Sequence, residues 1–197
     1  MIEIDGNYLE AGGQILRTAV SLSAITGKPC HVFNIRKKRP KPGLKQQHLL
    51  GIQALTQLCN GKLEGDFLGS EEIKFFPGQT YRDQVSVNIS TAGSITLVLQ
   101  TLIPPLLFSS KPTEIIFNGG ATDTFFSPTI DHFRYCFLKI LEKMGARVEM
   151  EISKRAYYPE GGAKVKVKIF PSELKKINLT ERGQLKNILA ISGASQV

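Results

Sequence analysis

Glu10-Ala11-Gly12-Gly13-Gln14-Ile15-Leu16-Arg17 is the stretch from which the organisation of this chain is read. Before it, Ile2-Glu3-Ile4 alternates in the manner of a strand. After it, Ile15, Leu16, Ala19, Leu22 and Ile25 recur at helical spacing from Gln14 to Thr26. Glycines between a strand and a helix let the backbone approach a ligand, and the free amides of the helix start favour anions. Arg17, one turn into the helix, can fork onto a phosphate, and Glu10 can hold a divalent cation beside it. The plain reading of the same residues is a glycine turn preceded by an acid that suits the helix dipole. The stretch is neither a Walker loop nor a dinucleotide fingerprint, because the Lys-Ser/Thr pair and the third glycine are missing.

Working outward, Gly27-Lys28-Pro29 ends the helix and Val32-Phe33-Asn34-Ile35 reads as a strand. Leu44 to Cys59 reads as a second amphipathic helix, followed by strands at Lys62-Leu63-Glu64 and Ile73-Lys74-Phe75-Phe76. The same order then returns. Val85 to Ile89 is a strand, Ala92-Gly93 a turn, Ser94 to Phe108 a helix, and Glu114 to Phe117 a strand. Gly119-Gly120 opens a loop, Pro128 to Met144 is a helix, and Val148 to Ile152 and Val165 to Ile169 are strands. Tyr157 to Gly162 reads as a hairpin-type turn, and Lys164, Lys166 and Lys168 give the last strand one basic face. A β-α-β-α-β-β unit thus occurs twice, at a spacing of roughly 80 residues. Each copy offers two helices to cover one face of a sheet, which predicts an α+β fold of tandem units. Ile188 to Ile191 reads as a further strand, and its place just before Val197 predicts a fragment or a strand that pairs elsewhere.

The net charge of +8 favours an anionic partner, with nucleic acid the first candidate and an ordinary basic enzyme the alternative. Arg36, Lys37, Lys38, Arg39, Lys41 and Lys45 fall within ten residues, in a loop stiffened by Pro40 and Pro42. Such a run is either a solvated basic face or a phosphate site, and Gln47 and His48 follow at the first turn of the next helix. His48 is read as a substrate contact rather than a nucleophile, because no acid stands nearby in sequence to orient it. His31 is read as structural and His132 as a surface residue, and no two histidines have metal-ligand spacing. The loop from Gly119 to Pro128 carries Phe125 and Phe126, whose flat rings can hold a base or join the core. Cys30, Cys59 and Cys136 form no C-x-x-C pair, so all three are expected as small buried hydrophobes. The longest apolar run, Ile95 to Phe108, is interrupted by Gln100 and Pro104-Pro105 and is short of the roughly 20 residues of a membrane span. With no signal-peptide pattern at Met1 to Asp5, the expected location is cytoplasmic, without membrane contact.

Taken together these blocks resemble the RNA 3'-terminal phosphate cyclase family over essentially the whole length. The resemblance runs through Glu10 to Arg17, Ile35-Arg36, Arg39, Lys41-Pro42-Gly43-Leu44, Gln47-His48, Ala92-Gly93-Ser94 and Leu97 to Thr101. It continues through Gly119-Gly120, Tyr158-Pro159, Gly161-Gly162 and Glu181-Arg182-Gly183. It implies ATP-dependent conversion of an RNA 3'-phosphate to a 2',3'-cyclic phosphate with Mg2+ or Mn2+. AMP passes from a histidine to the phosphate and is displaced by the neighbouring 2'-hydroxyl. The partners implied are ATP and an RNA 3'-phosphate end. Glu10 would sit at the metal and the ATP phosphates. Arg17, Arg36, Arg39, Gln47 and His48 would grip the RNA end and triphosphate, with Gln14, Gln100 and Pro128 against the nucleotide. The units would span residues 1–80 and 81–172, and residues 173–197 would lead into an inserted small domain starting near Leu185. The alternative is a noncatalytic cyclase-like RNA-binding protein of ribosome assembly. Two departures stand out. Ala11 replaces the first of three glycines, and the family's nucleophilic histidine, near its C-terminus, matches none of His31, His48 or His132. The 197-residue chain is therefore expected to be inactive alone, and surface left uncovered by a missing unit is expected to favour self-association.

Overall fold

The computed structural model describes residues 1–194. The first unit is β1 (Ile2–Asp5), α1 (Gly13–Thr26), β2 (Cys30–Phe33), α2 (Gln46–Leu58), β3 (Lys62–Glu64) and β4 (Ile73–Phe76). The second begins with β5 (Gln84–Ser94), α3 (Ile95–Leu107) and β6 (Thr113–Ala121). There α4 (Ile130–His132) runs through a π-helical turn (Phe133–Phe137) into α5 (Leu138–Lys143), followed by β7 (Arg147–Lys154) and β8 (Lys164–Phe170). The fold is α+β, and the repeat is geometric as well as sequential. The sheets are ordered β1-β2-β4-β3 and β5-β6-β8-β7, each with a parallel first pair and two antiparallel ones.

Alternation decides which way each sheet faces. On β8, Val165, Val167 and Ile169 are buried while Lys164, Lys166 and Lys168 point to water. One continuous core joins both units, from Leu16, Ile52 and Phe75 of the first to Leu99, Phe117 and Val167 of the second. At its centre lies α3, apolar on nearly every side and buried from Ile95 to Leu99 and Thr101 to Ile103. A helix hydrophobic all round must be covered all round. Here α1 and α2 cover one side, and β6 and β8 the other.

The prolines of α3 connect the two units. Pro105 has no N–H to give the carbonyl four residues back, that of Thr101. The Ser21 hydroxyl on α1 donates to that carbonyl instead, at 2.7 Å in a buried position. Beside it Gly51 of α2 admits Thr101, whose Oγ1 would lie 3.2 Å from a methyl group there.

Several expectations require correction. Ala92-Gly93 is not a turn but lies within β5, where the pairing with β6 shifts register between Ile89 and Ser94. Gly119-Gly120 does not open the loop; β6 continues to Ala121, with both glycines at positive φ where a side chain would strike the backbone or side chains of the β5 end. The strand expected to reach Ile35 stops at Phe33, because Asn34 turns to a φ of 52°. Cys30 and Cys59 are buried as expected, but Cys136 is exposed on the π turn. No strand forms at Ile188 to Ile191, where the backbone makes no pairing, and residues 171–194 carry neither helix nor strand. No helix among the described residues is long and apolar enough to cross a membrane.

Replacing Ser21 by Ala leaves the Thr101 carbonyl buried without its donor and is expected to cost about 1–2 kcal/mol. Urea unfolding would measure this. In a Pro105→Ala background the carbonyl regains a helical N–H, so the same Ser21→Ala change should cost clearly less. Additive effects of the two substitutions would contradict the arrangement.

Candidate functional site

The start of α1 is shaped by the loop that leads into it. Leu9 and Ala11 both have positive φ, at 48° and 50°, and Ala11 donates its N–H to the Tyr8 carbonyl at 3.0 Å. The left-handed conformation costs a non-glycine residue about 1–2 kcal/mol, a cost that Ala11 bears here. Gly12 caps α1 with no side-chain hydrogen bond, and the first turn holds no acid. The leading amides of α1 are thus left for an anion.

Cations surround that end. The Arg39 guanidinium lies against Gly12, its Nη2 3.7 Å from where a methyl group would stand. Arg36, at a φ of 57°, donates through Nη1 to the carbonyls of Lys41 (2.7 Å) and Gly43 (2.8 Å), so it folds the basic loop round itself. Arg17 is half-buried, and its Nε has no hydrogen-bond partner among the described residues. Burial lowers the affinity of Arg17 for its proton, and burial followed by Arg39 does the same at Arg36. Both nevertheless keep their charge at neutral pH.

His48 is buried at the third position of α2, packed against Gly13 so closely that a methyl there would overlap the ring. Its Nδ1 accepts the Lys45 backbone N–H at 3.2 Å, the role a Glu or Gln has in a capping box. The proton of the neutral ring therefore sits on Nε2, and the remaining lone pair is already engaged. That arrangement suits a hydrogen-bond donor to an anion and not a nucleophile. Burial above all, then Arg17, Arg36 and Lys45, push its pKa down to about 3. Among the described residues no carboxylate offsets this cluster at His48, so an anion is the ligand it can accept.

A second feature adjoins the cluster. Gln14, Arg17, Thr18, Leu97, Gln100, Pro128 and Phe137 line a cleft of about 460 Å³ between α1, α3 and the helix that follows Pro128. That volume lies in the range of small-molecule sites. Pro128 is fixed by Thr96, whose hydroxyl donates to its carbonyl at 2.8 Å, and the Ser94 hydroxyl accepts the Leu97 N–H at 3.2 Å. The structure therefore gathers Gln14, Arg17, Gln100 and Pro128 in one cleft. It gathers Arg17, Arg36 and His48 in the cationic cluster, and Arg17 is common to both. Gln47 stands apart, with Oε1 accepting the Ser94 N–H at 3.4 Å across the joint between the units. Glu10 is exposed on the loop before α1 and takes part in no ion pair among the described residues. No group of three or more metal-ligating side chains gathers among the described residues. Thr18 and Leu97 were missed, although each is close in sequence to a residue that was named. Phe137 had no such signal, since the π turn sets its direction.

A family model described as RNA 3'-terminal phosphate cyclase matches residues 8–194. The chain is 52% identical over 175 residues to the RNA 3'-terminal phosphate cyclase of Thermococcus kodakarensis, an alignment covering 89% of this chain and 50% of that protein. It is 48% identical over 177 residues to the protein so named from Archaeoglobus fulgidus, covering 90% and 54%. With that of Sulfurisphaera tokodaii it shares 44% identity over 198 residues, covering 100% and 58%. The chain thus spans about half the length of the curated relatives it matches.

The His48 ring stays neutral in the folded chain to about pH 3 but takes a proton near 6.5 when unfolded. Between those values the unfolded state binds the extra proton, so stability falls as pH falls from about 6.5. The full effect is roughly 5 kcal/mol. Denaturant midpoints followed from pH 7 to pH 4 should drop less steeply in a His48→Gln variant than in the parent chain; parallel slopes would show that His48 is not the group responsible.

Proposed function

The chain belongs to the RNA 3'-terminal phosphate cyclase family, and from that premise we propose that it forms the half of a cyclase that binds ATP and the RNA end. The observation that carries this reading is the cationic cluster at the uncapped start of α1, continuous through Arg17 with the cleft of Gln14, Gln100 and Pro128. The reaction is the ATP-dependent closure of an RNA 3'-phosphate to a 2',3'-cyclic phosphate. Adenylylation gives the terminal phosphorus a good leaving group, and the adjacent 2'-hydroxyl then displaces AMP.

In this reading the terminal phosphate is held by Arg17, Arg36 and Arg39, with His48 Nε2–H as a fourth donor. Charge-assisted bonds of this kind also fix the phosphate for in-line attack. The nucleotide lies in the cleft, with Gln100 and Pro128 against it and Gln14 at its mouth. Gln47 acts on the site indirectly, by holding the end of β5 where α3 starts. Glu10 is the residue that would hold Mg2+ or Mn2+. A single exposed carboxylate fits that task, because these ions take most of their ligands from phosphates and water. The ion would neutralise charge on the transferring phosphate.

The histidine that carries AMP comes from the half of the relatives that this chain does not match, because His48 has its lone pair engaged and His31 and His132 lie outside the cluster. The 197 residues by themselves therefore bind without adenylylation. The inserted domain would start near Leu185 in the same reading. A noncatalytic role in ribosome assembly is not favoured, since the relatives above bear the name of the cyclase.

The test is fluorescence anisotropy with one oligoribonucleotide carrying either a 3'-phosphate or a 3'-hydroxyl, at fixed salt because all phosphate contacts are salt-sensitive. The phosphate form should bind at least tenfold more tightly, and Arg17→Ala should remove most of that preference. Equal affinity for the two ends would overturn the reading. For the metal, Glu10→Gln should weaken ATP binding in the presence of Mg2+ while leaving affinity for the RNA 3'-phosphate within about twofold.

A further inference from the structure

Three aromatic rings are largely exposed beside the cleft among the described residues. Phe125 is 71% exposed, Phe126 is fully exposed and Tyr158 is 57% exposed. The Phe125 ring lies 6.4 Å from that of Phe126 and 5.1 Å, edge-on, from that of Tyr158. Single exposed apolar side chains are ordinary, but a contiguous group is not. Phe126 is also held at a φ of 59°, a conformation that a bulky residue adopts only at a cost.

The display is built rather than loose. Tyr158 donates its N–H to the Asp123 carbonyl at 3.2 Å, joining the loop before Pro128 to the β7–β8 hairpin. The Thr122 hydroxyl donates to the Ala156 carbonyl at 2.9 Å and lies 3.2 Å from the Ala156 N–H. Arg155 grips Asp131 with two hydrogen bonds of 2.6 and 2.7 Å. The rings are thus held in place before any ligand arrives, which lowers the entropy lost on binding.

Position and charge say what they hold. One residue, Ser127, separates Phe126 from Pro128 in the cleft wall, so their Cα atoms are within about 7 Å. The hairpin that carries Tyr158 also holds the exposed cation Lys154 and the exposed acid Glu160, while the chain as a whole carries a net charge of +8. Thr124, Ser127 and Pro159 adjoin the rings in sequence and continue the patch with no open-chain aliphatic side chain. Residues Ile191 to Ala194 line a cleft with the hairpin but leave Phe125 and Phe126 outside it. Flat rings on a basic protein are how single-stranded nucleic acid is held without reading its sequence, because every base offers a face. Resting on the function proposed above, we infer that Phe125, Phe126 and Tyr158 form a stacking platform for an unpaired nucleobase next to the 3'-terminal nucleotide. The platform makes the site selective for a single-stranded end.

The experiment uses the chain and oligoribonucleotides ending in a 3'-phosphate, with 2-aminopurine at the second or third position from that end. Binding should quench the probe by stacking. The Phe125→Ala/Phe126→Ala variant, which removes exposed side chains only, should lose the quenching and bind about tenfold more weakly or worse. Its affinity for adenosine 3'-monophosphate, which has no neighbouring base, should stay within about twofold. Phe126→Trp should retain quenching, and Phe126→Leu, equally apolar but not flat, should not. Unchanged affinity and no quenching, with the 3'-phosphate preference intact, would overturn the platform alone and mark the rings as a packing face for polypeptide. Absence of any 3'-phosphate preference in the parent chain would overturn the underlying reading and the platform with it.

Discussion

The near-complete burial of α3 is the constraint on which the rest depends. An apolar helix must be enclosed, and no single small sheet with two helices can enclose it. The two units therefore share it. The first contributes α1 and α2 to one side and the second contributes its sheet to the other. Pro105 and Ser21 give that packing a polar register, since the carbonyl freed by the proline is satisfied from the other unit. The same docking brings Gln14 and Arg17 of α1 opposite Leu97 and Gln100 of α3. The cleft is a by-product of how the core is closed.

A second constraint acts at the start of α1. Arg17, Arg36 and Lys45 crowd a buried imidazole, and Arg36 gives its protons to the carbonyls of Lys41 and Gly43. Like charges in a partly dry setting repel more strongly than in water. The cost is kept tolerable because His48 gives up its proton, and an anion would remove the rest. Ala11 in its left-handed conformation is part of the same arrangement, because the turn it completes aims the amides of α1 at that point.

Much of this was legible in the residues. The repeat was read from punctuation, and the sheets bear it out with identical strand orders. The basic loop and the glycine pair identified both halves of the cationic cluster. What failed did so for stated reasons. Gly93 is read as a turn and Gly119-Gly120 as the opening of a loop because glycine usually breaks a strand, yet here they permit strands to pass close together. Cys136 was expected inside because free cysteine usually is, but the π turn rotates it outward. Ile188 to Ile191 has strand composition with no strand formed.

Residue order alone carries the α+β class, the doubling of the unit, the cationic loop and the resemblance to the RNA 3'-terminal phosphate cyclase family. These depend on periodicity and local chemistry, which are properties of neighbours along the chain. Only the tertiary structure decided that Arg17 serves both cleft and cluster, that Gln47 faces the joint, and that His48 is neutral with its proton on Nε2. It also decided that Phe125 and Phe126 stay out of the core. Burial, desolvation and the satisfaction of a stranded carbonyl arise between residues far apart in the chain, and no local pattern encodes them.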